Sequence, residues 1–166
     1  MLFAENTRAL PLKIMIVVVG KSRGVLAEAV REYEHRAGRY WKLEVVEVSQ
    51  ESARSLSGEQ VKAAEARRIL DRIPAHLEVV ALTRDGKGMH STALARWLET
   101  RLVEAMPGVA FVIGGAFGLG EAVLDRSRTS LSLSDMTLPH EMARLFLAEQ
   151  LYRAGTILRG EPYHKG

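Results

Sequence analysis

The C-terminal third of the chain holds the residues with the most chemical capacity. Val109 to Ile113 reads as a strand, and Gly114-Gly115-Ala116-Phe117-Gly118-Leu119-Gly120 follows it as a turn. After a short helix come a small-residue strand (Ser130 to Ser134) and the loop Asp135-Met136-Thr137-Leu138-Pro139-His140. A long helix and the tail Pro162-Tyr163-His164 complete the segment. A strand that ends in glycines brings bare N–H and C=O groups close to whatever lies beyond the sheet edge. In open α/β sheets that edge is where ligands sit. Two such backbone loops, with a helix and tail carrying His140, Arg153, Tyr163 and His164, make a candidate site.

Motifs that fail narrow its chemistry. Gly20-Lys21-Ser22 resembles the end of a phosphate-binding loop, but that loop needs a glycine five residues earlier, and position 15 is Met. Gly115 and Gly120 have the glycine spacing, yet Glu121 stands where the lysine belongs and would repel a triphosphate. No register of glycines 114, 115, 118 and 120 matches the dinucleotide fingerprint. His35, His76, His90, His140 and His164 are scattered, and the chain has no cysteine, so no metal site is expected. No serine nucleophile of the hydrolase kind is expected either. What remains is direct transfer from an already activated donor, catalysed by positioning and proton removal.

The elements that must position these groups alternate between strand and helix. Lys13 to Val19 is a continuous apolar run suited to a strand buried on both faces. Leu26, Ala29, Val30, Tyr33, Ala37 and Tyr40 fall on one helical stripe. Leu43 to Val48 is a second strand. Ser57 and Gln60 have capping-box spacing and open a helix that Pro74 ends. Leu77 to Thr83 is the third strand, ended by the turn Asp85-Gly86-Lys87-Gly88. Ser91 is placed to cap a helix running to about Met106, with Leu94, Trp97, Leu98, Leu102 and Ala105 inward. The alternation predicts one α/β domain, a mostly parallel sheet with helices on both faces. Met1 to Leu12 lack periodicity and read as an N-terminal extension outside the fold, leaving residues 13–166 as the domain.

The 166 residues are 47% hydrophobic and 26% charged, enough for a real core. Lys and Arg exceed Asp and Glu by 23 to 20, which permits a nucleic-acid partner without demanding one. Beyond residue 120 acids and bases are balanced, so any nucleic-acid surface must be assembled by the fold. Ile14 to Val19 is too short for a membrane span, and a cytoplasmic protein without a membrane partner is expected. The last helix, Glu141 to Leu158, carries two apolar stripes: Leu147, Leu151, Ala154 and Leu158, then Met142, Leu145, Phe146 and Tyr152. A helix covering one sheet face needs only one. The second faces either another copy of the chain or a fold that wraps around it.

Five blocks carry a resemblance. Val112-Ile113-Gly114-Gly115, Leu131-Ser132-Leu133-Ser134, Thr137-Leu138-Pro139-His140, Glu149-Gln150-Leu151-Tyr152-Arg153-Ala154 and Pro162-Tyr163-His164 occur in the order found in the RlmH (YbeA-like) family. From about Lys13 to the C-terminus the chain resembles these SPOUT-class methyltransferases of 23S ribosomal RNA. The resemblance implies a C-terminal trefoil knot, a homodimer and S-adenosylmethionine as methyl donor. It also implies N3 of a pseudouridine as acceptor, within the assembled ribosome.

Carried over, the donor pocket takes Leu82, Gly114, Gly115 and the run Leu133, Ser134, Asp135, Met136, Thr137 and Leu138. Main-chain groups would bind adenine and ribose while leucines enclose the flat base. Where some relatives have Pro-Glu between the glycines, this chain has Ala116-Phe117, so no carboxylate role transfers there. An imide N3–H must lose its proton to attack, which points to histidine: His164 first, then His140. Arg153 would hold phosphate or the developing anion, and Tyr163 would stack on a base. Plainer readings stand beside these. The glycines suit any tight strand-to-helix turn, His140 any first helical turn, and Arg153 has Glu149 four residues before it as a salt-bridge partner. Tyr152 fits packing at the interface between copies better than RNA contact. A non-catalytic dimeric RNA-binding module and a flavodoxin-like ligand-binding protein are the rival functions.

Overall fold

The computed structural model describes residues 12–166. Its elements in order are β1 (Lys13–Val19), α1 (Val25–Ala37), β2 (Lys42–Val48), α2 (Gly58–Leu70), β3 (Glu78–Gly88), α3 (Ser91–Val103), β4 (Gly108–Ile113), α4 (Glu121–Arg126), β5 (Thr129–Ser132) and α5 (His140–Leu158). All pairings are parallel, in the order β2-β1-β4-β3-β5. The α/β fold with a parallel sheet and two covered faces is as expected.

Alternation along the central strands builds the two cores. Ile14, Ile16 and Val18 of β1, with Val109, Phe111 and Ile113 of β4, face α1, α3 and α5. Met15, Val17 and Val19, with Ala110 and Val112, face α2 and α4. Both faces are apolar, which is why these strands lack the polar alternation of a half-exposed sheet. Residues 1–11 of the expected extension lie outside the described residues. Leu12, grouped with them in the sequence reading, is 2% exposed, and its carbonyl accepts from the Lys42 N–H at 3.3 Å.

The capping box at Ser57 is formed in both directions, Gln60 N–H to Ser57 Oγ at 3.2 Å and Ser57 N–H to Gln60 Oε1 at 2.9 Å. Ser91 does not cap α3. His90 is the N-cap, and the Ser91 hydroxyl instead donates to Gln150 Oε1 on α5 at 2.6 Å. Helix α3 ends at Val103, and Ala105 turns outward in a left-handed conformation (φ 52°) rather than packing inward. Strand β3 also runs past Thr83: Leu82 and Lys87 both pair with Leu131, so residues 83–86 loop out and pairing resumes beyond them.

Helix α5 is pinned to the body at both ends. Near its start the buried Arg144 reaches Glu34 of α1 (2.6 Å) and Glu47 of β2 (2.8 Å). Further along, Trp41 Nε1 donates to the Leu151 carbonyl at 2.8 Å. At Gly155 an added Cβ would lie 2.4 Å from Tyr40, so only glycine lets helix and ring approach this far. Leu147, Leu151 and Ala154 are buried, whereas Met142 and Phe146 on the second stripe are 45% and 40% exposed. No described helix is long and apolar enough to cross a membrane.

Candidate active site at the C-terminal edge of the sheet

The carboxyl ends of β3, β4 and β5 and the start of α5 enclose a cavity of about 480 Å³. Three main-chain segments form it: the outlooped residues after Leu82, the glycine turn after Ile113, and the loop from β5 to α5. Leu82, Gly114, Gly115, Leu133, Ser134, Met136, Thr137 and Leu138 all line it, and so does His140. Asp135 does not; it is exposed at the crest of its loop.

Each segment is held by its own chemistry. In the glycine turn the Gly118 N–H bonds the Gly115 carbonyl at 3.0 Å, and Gly118 sits at φ +83°, where a side chain would be strained. A Cβ on Gly114 would fall 2.7 Å from the Gly118 carbonyl carbon, so the two limbs of the turn pack backbone to backbone. In the next loop Ser132 Oγ donates to the Ser134 carbonyl (2.9 Å), and Ser134 Oγ accepts the Met136 N–H (3.0 Å). Behind the glycine turn lies the buried Glu65, whose Oε1 accepts the Glu51 N–H at 3.0 Å. Its Oε2 has no hydrogen-bond partner among the described residues and stands 3.0 Å from where a Gly115 Cβ would be. Sequence reasoning missed Glu65, because a carboxylate on an amphipathic helix reads as solvated.

The cavity wall is mainly main chain and apolar side chains. Its charged members are Arg84 and Asp85, neighbours 3.7 Å apart that are both largely solvent-exposed. Such a wall suits a flat, mostly neutral ligand held by backbone groups, and not a triphosphate. Ile113, Ala116, Phe117, Leu131 and Ala143 also line it, residues to which the sequence assigned no pocket role. Ala143 follows His140 by three residues, the one helical signal that would have found it.

The remaining candidates are not at this cavity. Arg153 lies 13 residues beyond His140 on α5, roughly 20 Å along the axis. There it pairs with Glu149 (Nη2 to Oε1, 2.5 Å), as the i, i+4 spacing allows. This bond to Glu149 holds the Arg153 guanidinium above its usual pKa. The Tyr163 hydroxyl donates to the same Glu149 Oε1 at 2.9 Å, and His164 Nδ1 is 3.3 Å from Arg153 Nη1. Burial, reinforced by hydrogen bonds with Tyr33 and Glu149, pushes the Tyr163 phenol well above its ordinary value. Tyr152 packs among Tyr33, Tyr40 and Tyr163, with ring centroids 6.3, 5.7 and 4.6 Å away. So one chain gathers the donor-pocket candidates and His140 at one sheet edge and leaves Arg153, Tyr163 and His164 toward the other.

One motif was overlooked. Gly20-Lys21-Ser22-Arg23-Gly24, between β1 and α1, has the G-x-S-x-G spacing of a nucleophile elbow. It does not act as one here. Ser22 Oγ is buried without a hydrogen-bond partner among the described residues, so no histidine activates it. The left-handed residues are Gly20 and Gly24, not the serine. Among the described residues no cluster of His, Cys, Asp and Glu is placed to hold a metal.

Comparisons with known proteins bear on this edge. A family model described as predicted SPOUT methyltransferase matches residues 12–164. A ribosomal RNA large subunit methyltransferase H from Gemmatimonas aurantiaca is 52% identical over 155 residues, covering 93% of this chain and 100% of that protein. Its counterpart from Syntrophotalea carbinolica is 44% identical, covering 92% and 99%. Among solved structures, a probable methyltransferase from Bordetella pertussis superposes with a TM-score of 0.54 at 16% identity, covering 87% of this chain and 95% of that one. At that identity the likeness speaks to fold alone.

Proposed function

Because this chain belongs to the SPOUT methyltransferase family, alongside ribosomal RNA large subunit methyltransferase H relatives of its own length, we infer that it methylates N3 of a pseudouridine in 23S rRNA of the assembled ribosome, with S-adenosylmethionine as donor. The observation that carries this reading is the convergence of three main-chain segments on one cavity beside His140. The trefoil knot, the homodimer and a cytoplasmic location belong to the same reading.

When bound, S-adenosylmethionine supplies a methyl group already made electrophilic by its sulfonium. The chain's part is to hold, orient and deprotonate. Leu82, Leu133 and Leu138 enclose a flat base, and the glycine turn and the loop to α5 offer N–H and C=O groups to its edge and to a ribose. The pseudouridine N3–H would give up its proton as the new N–C bond forms and the methyl–sulfur bond breaks to leave a neutral thioether, and a histidine is the group suited to take the proton.

His140 borders the cavity within the chain. The tail histidine, with Arg153 and Tyr163, is supplied by a second copy that covers the exposed Met142 and Phe146 of α5. In that arrangement Arg153 steadies the developing anionic base, and Tyr163 offers an aromatic face.

The test is methyl transfer from labelled S-adenosylmethionine to unmethylated ribosomes and to naked rRNA, with the product nucleoside identified by mass spectrometry. Transfer to ribosomes that yields 3-methylpseudouridine is expected. Ribosome binding with no transfer would instead indicate a non-catalytic module of the same fold. No heat on titration with S-adenosylmethionine would remove the donor assignment.

A further inference from the structure

We propose that the turn after β1 holds the phosphodiester backbone of the RNA at the target nucleotide, through Lys21 and Arg23. A second cavity of about 500 Å³ opens at this turn, and His140 lines it as well as the first. The two spaces therefore share one imidazole as a common wall. Gly20, at φ +86°, lets the end of β1 come up against that ring; a Cβ there would lie 3.4 Å from His140 Nε2. Beyond Gly20 the turn alternates. Ser22 Oγ is buried, while Lys21 and Arg23 on either side are exposed and line the cavity together.

The charges around this cavity differ in how they are engaged. Among the described residues neither Lys21 Nζ nor the Arg23 guanidinium has a carboxylate partner, whereas Arg68, Arg101, Arg144 and Arg153 are each committed to one. Two carboxylates share the wall. Glu47 is held by Arg144 Nη1 at 2.8 Å. Glu141 accepts the main-chain N–H of Arg23 at 3.0 Å, which anchors the turn while leaving the guanidinium outward. The free side-chain charges facing the cavity are thus the two cations and the one carboxylate of Glu141.

Such a site takes an anion of single charge, and its neighbour across His140 names the source. Resting on the RNA-methyltransferase reading, a nucleotide whose base is presented at His140, at the mouth of the donor cavity, keeps its sugar–phosphate on the other side of the imidazole. Phosphate contacts of this kind set the register of a nucleic acid and carry no sequence information. A nucleotide triphosphate is the wrong ligand, since Met15 stands where a phosphate-binding loop needs its first glycine.

The experiment uses the full chain and large ribosomal subunits from cells lacking the modification, with binding measured across a salt series. In the double variant Lys21→Gln/Arg23→Gln, affinity at low salt should fall roughly ten-fold, and the slope of log K against log salt should drop by about two. S-adenosylmethionine affinity should not change. The charge-conserving pair Lys21→Arg/Arg23→Lys should retain affinity, and Glu141→Gln should raise it by removing the opposing carboxylate. An unchanged affinity and salt slope in the double variant overturns the proposal, and so does an equal loss of donor affinity. Should the wild-type chain bind subunits but move no methyl group, the enzymatic reading fails while the salt slope still decides the phosphate site.

Discussion

His164 Nδ1 lies 3.3 Å from Arg153 Nη1. A guanidinium has donors and no acceptor, so the imidazole nitrogen facing it must be the acceptor and the ring proton must sit on Nε2. Glu149 fixes the guanidinium from its other side and also receives the Tyr163 hydroxyl. The tail is therefore ordered on its own helix as a unit, with the histidine tautomer imposed by Arg153. In that tautomer the basic nitrogen is Nδ1, so in the proposed role the ring has to shed the Arg153 contact before it can take a proton there, which makes Arg153 the residue that poises it.

His164→Ala should leave S-adenosylmethionine affinity within a few-fold and lower methyl transfer by about two orders of magnitude or more. Calorimetry and a single-turnover transfer assay separate the two. An unchanged single-turnover rate would leave His140 as the base.

Gly114→Ala places a methyl group 2.7 Å from the Gly118 carbonyl carbon and 2.8 Å from its oxygen, and neither can yield without opening the turn. Donor affinity should fall at least about ten-fold. Gly88→Ala is the control. Nothing lies within 4 Å of its added Cβ, so stability should change by no more than about 0.5 kcal/mol and donor binding should be unaffected. Comparable donor losses in both would show that the turn is not what holds the ligand.

Arg144→Ala leaves Glu34 and Glu47 facing each other without their shared cation, and Arg144 itself is 5% exposed. Burial alone would lower the Arg144 pKa, but the hydrogen bonds it donates to both carboxylates raise it, so the triad is charged in the fold. Stability should drop by about 3–5 kcal/mol in denaturant titrations. Because the triad ties the start of α5 to α1 and β2, His140 should lose its placement before the sheet unfolds.

Tyr40 supplies the pH dependence. Burial, and then its hydrogen bond to Glu161, pushes this phenol well above its ordinary value. The folded state thus keeps a proton that the unfolded chain releases near pH 10. This contribution is fully present below that pH and is lost as pH rises beyond it. Melting temperature should fall between about pH 10 and 12, with a smaller decline in Tyr40→Phe; equal slopes would show that another group titrates.

How much of this was legible depends on whether the signal is local. The capping box at Ser57 needs two residues three apart, and it formed as read. Ser91 looks like a cap in sequence, yet it is the first residue of α3 behind His90, and its hydroxyl is taken by Gln150 from α5, a competitor no local window contains. The outlooped residues after Leu82 follow from the register of β5 against β3, again a non-local fact. For the site, the glycine turn and the loop to α5 were visible as breaks in periodicity. The separation of His140 from His164 was not, because adjacent blocks on one long helix look contiguous in sequence and end up at opposite edges of the sheet.

That separation yields the sharpest prediction about assembly. If each pocket is completed by the other copy's tail, a dimer is required for transfer but not for holding the donor. Phe146→Glu, at an exposed apolar position of α5, should shift sedimentation from dimer to monomer and abolish transfer, with donor binding retained. Mixing Gly114→Ala with His164→Ala then discriminates further. With donor well below the weakened affinity of Gly114→Ala, each variant alone is nearly inactive, for want of a pocket or of a tail. In the mixed dimer one intact pocket faces one intact tail, and random reassortment should restore about a quarter of wild-type activity. Within a single chain the mixed species would have no complete site at all, so a mixture that stays inactive assigns the tail to its own pocket and requires it to swing the length of α5.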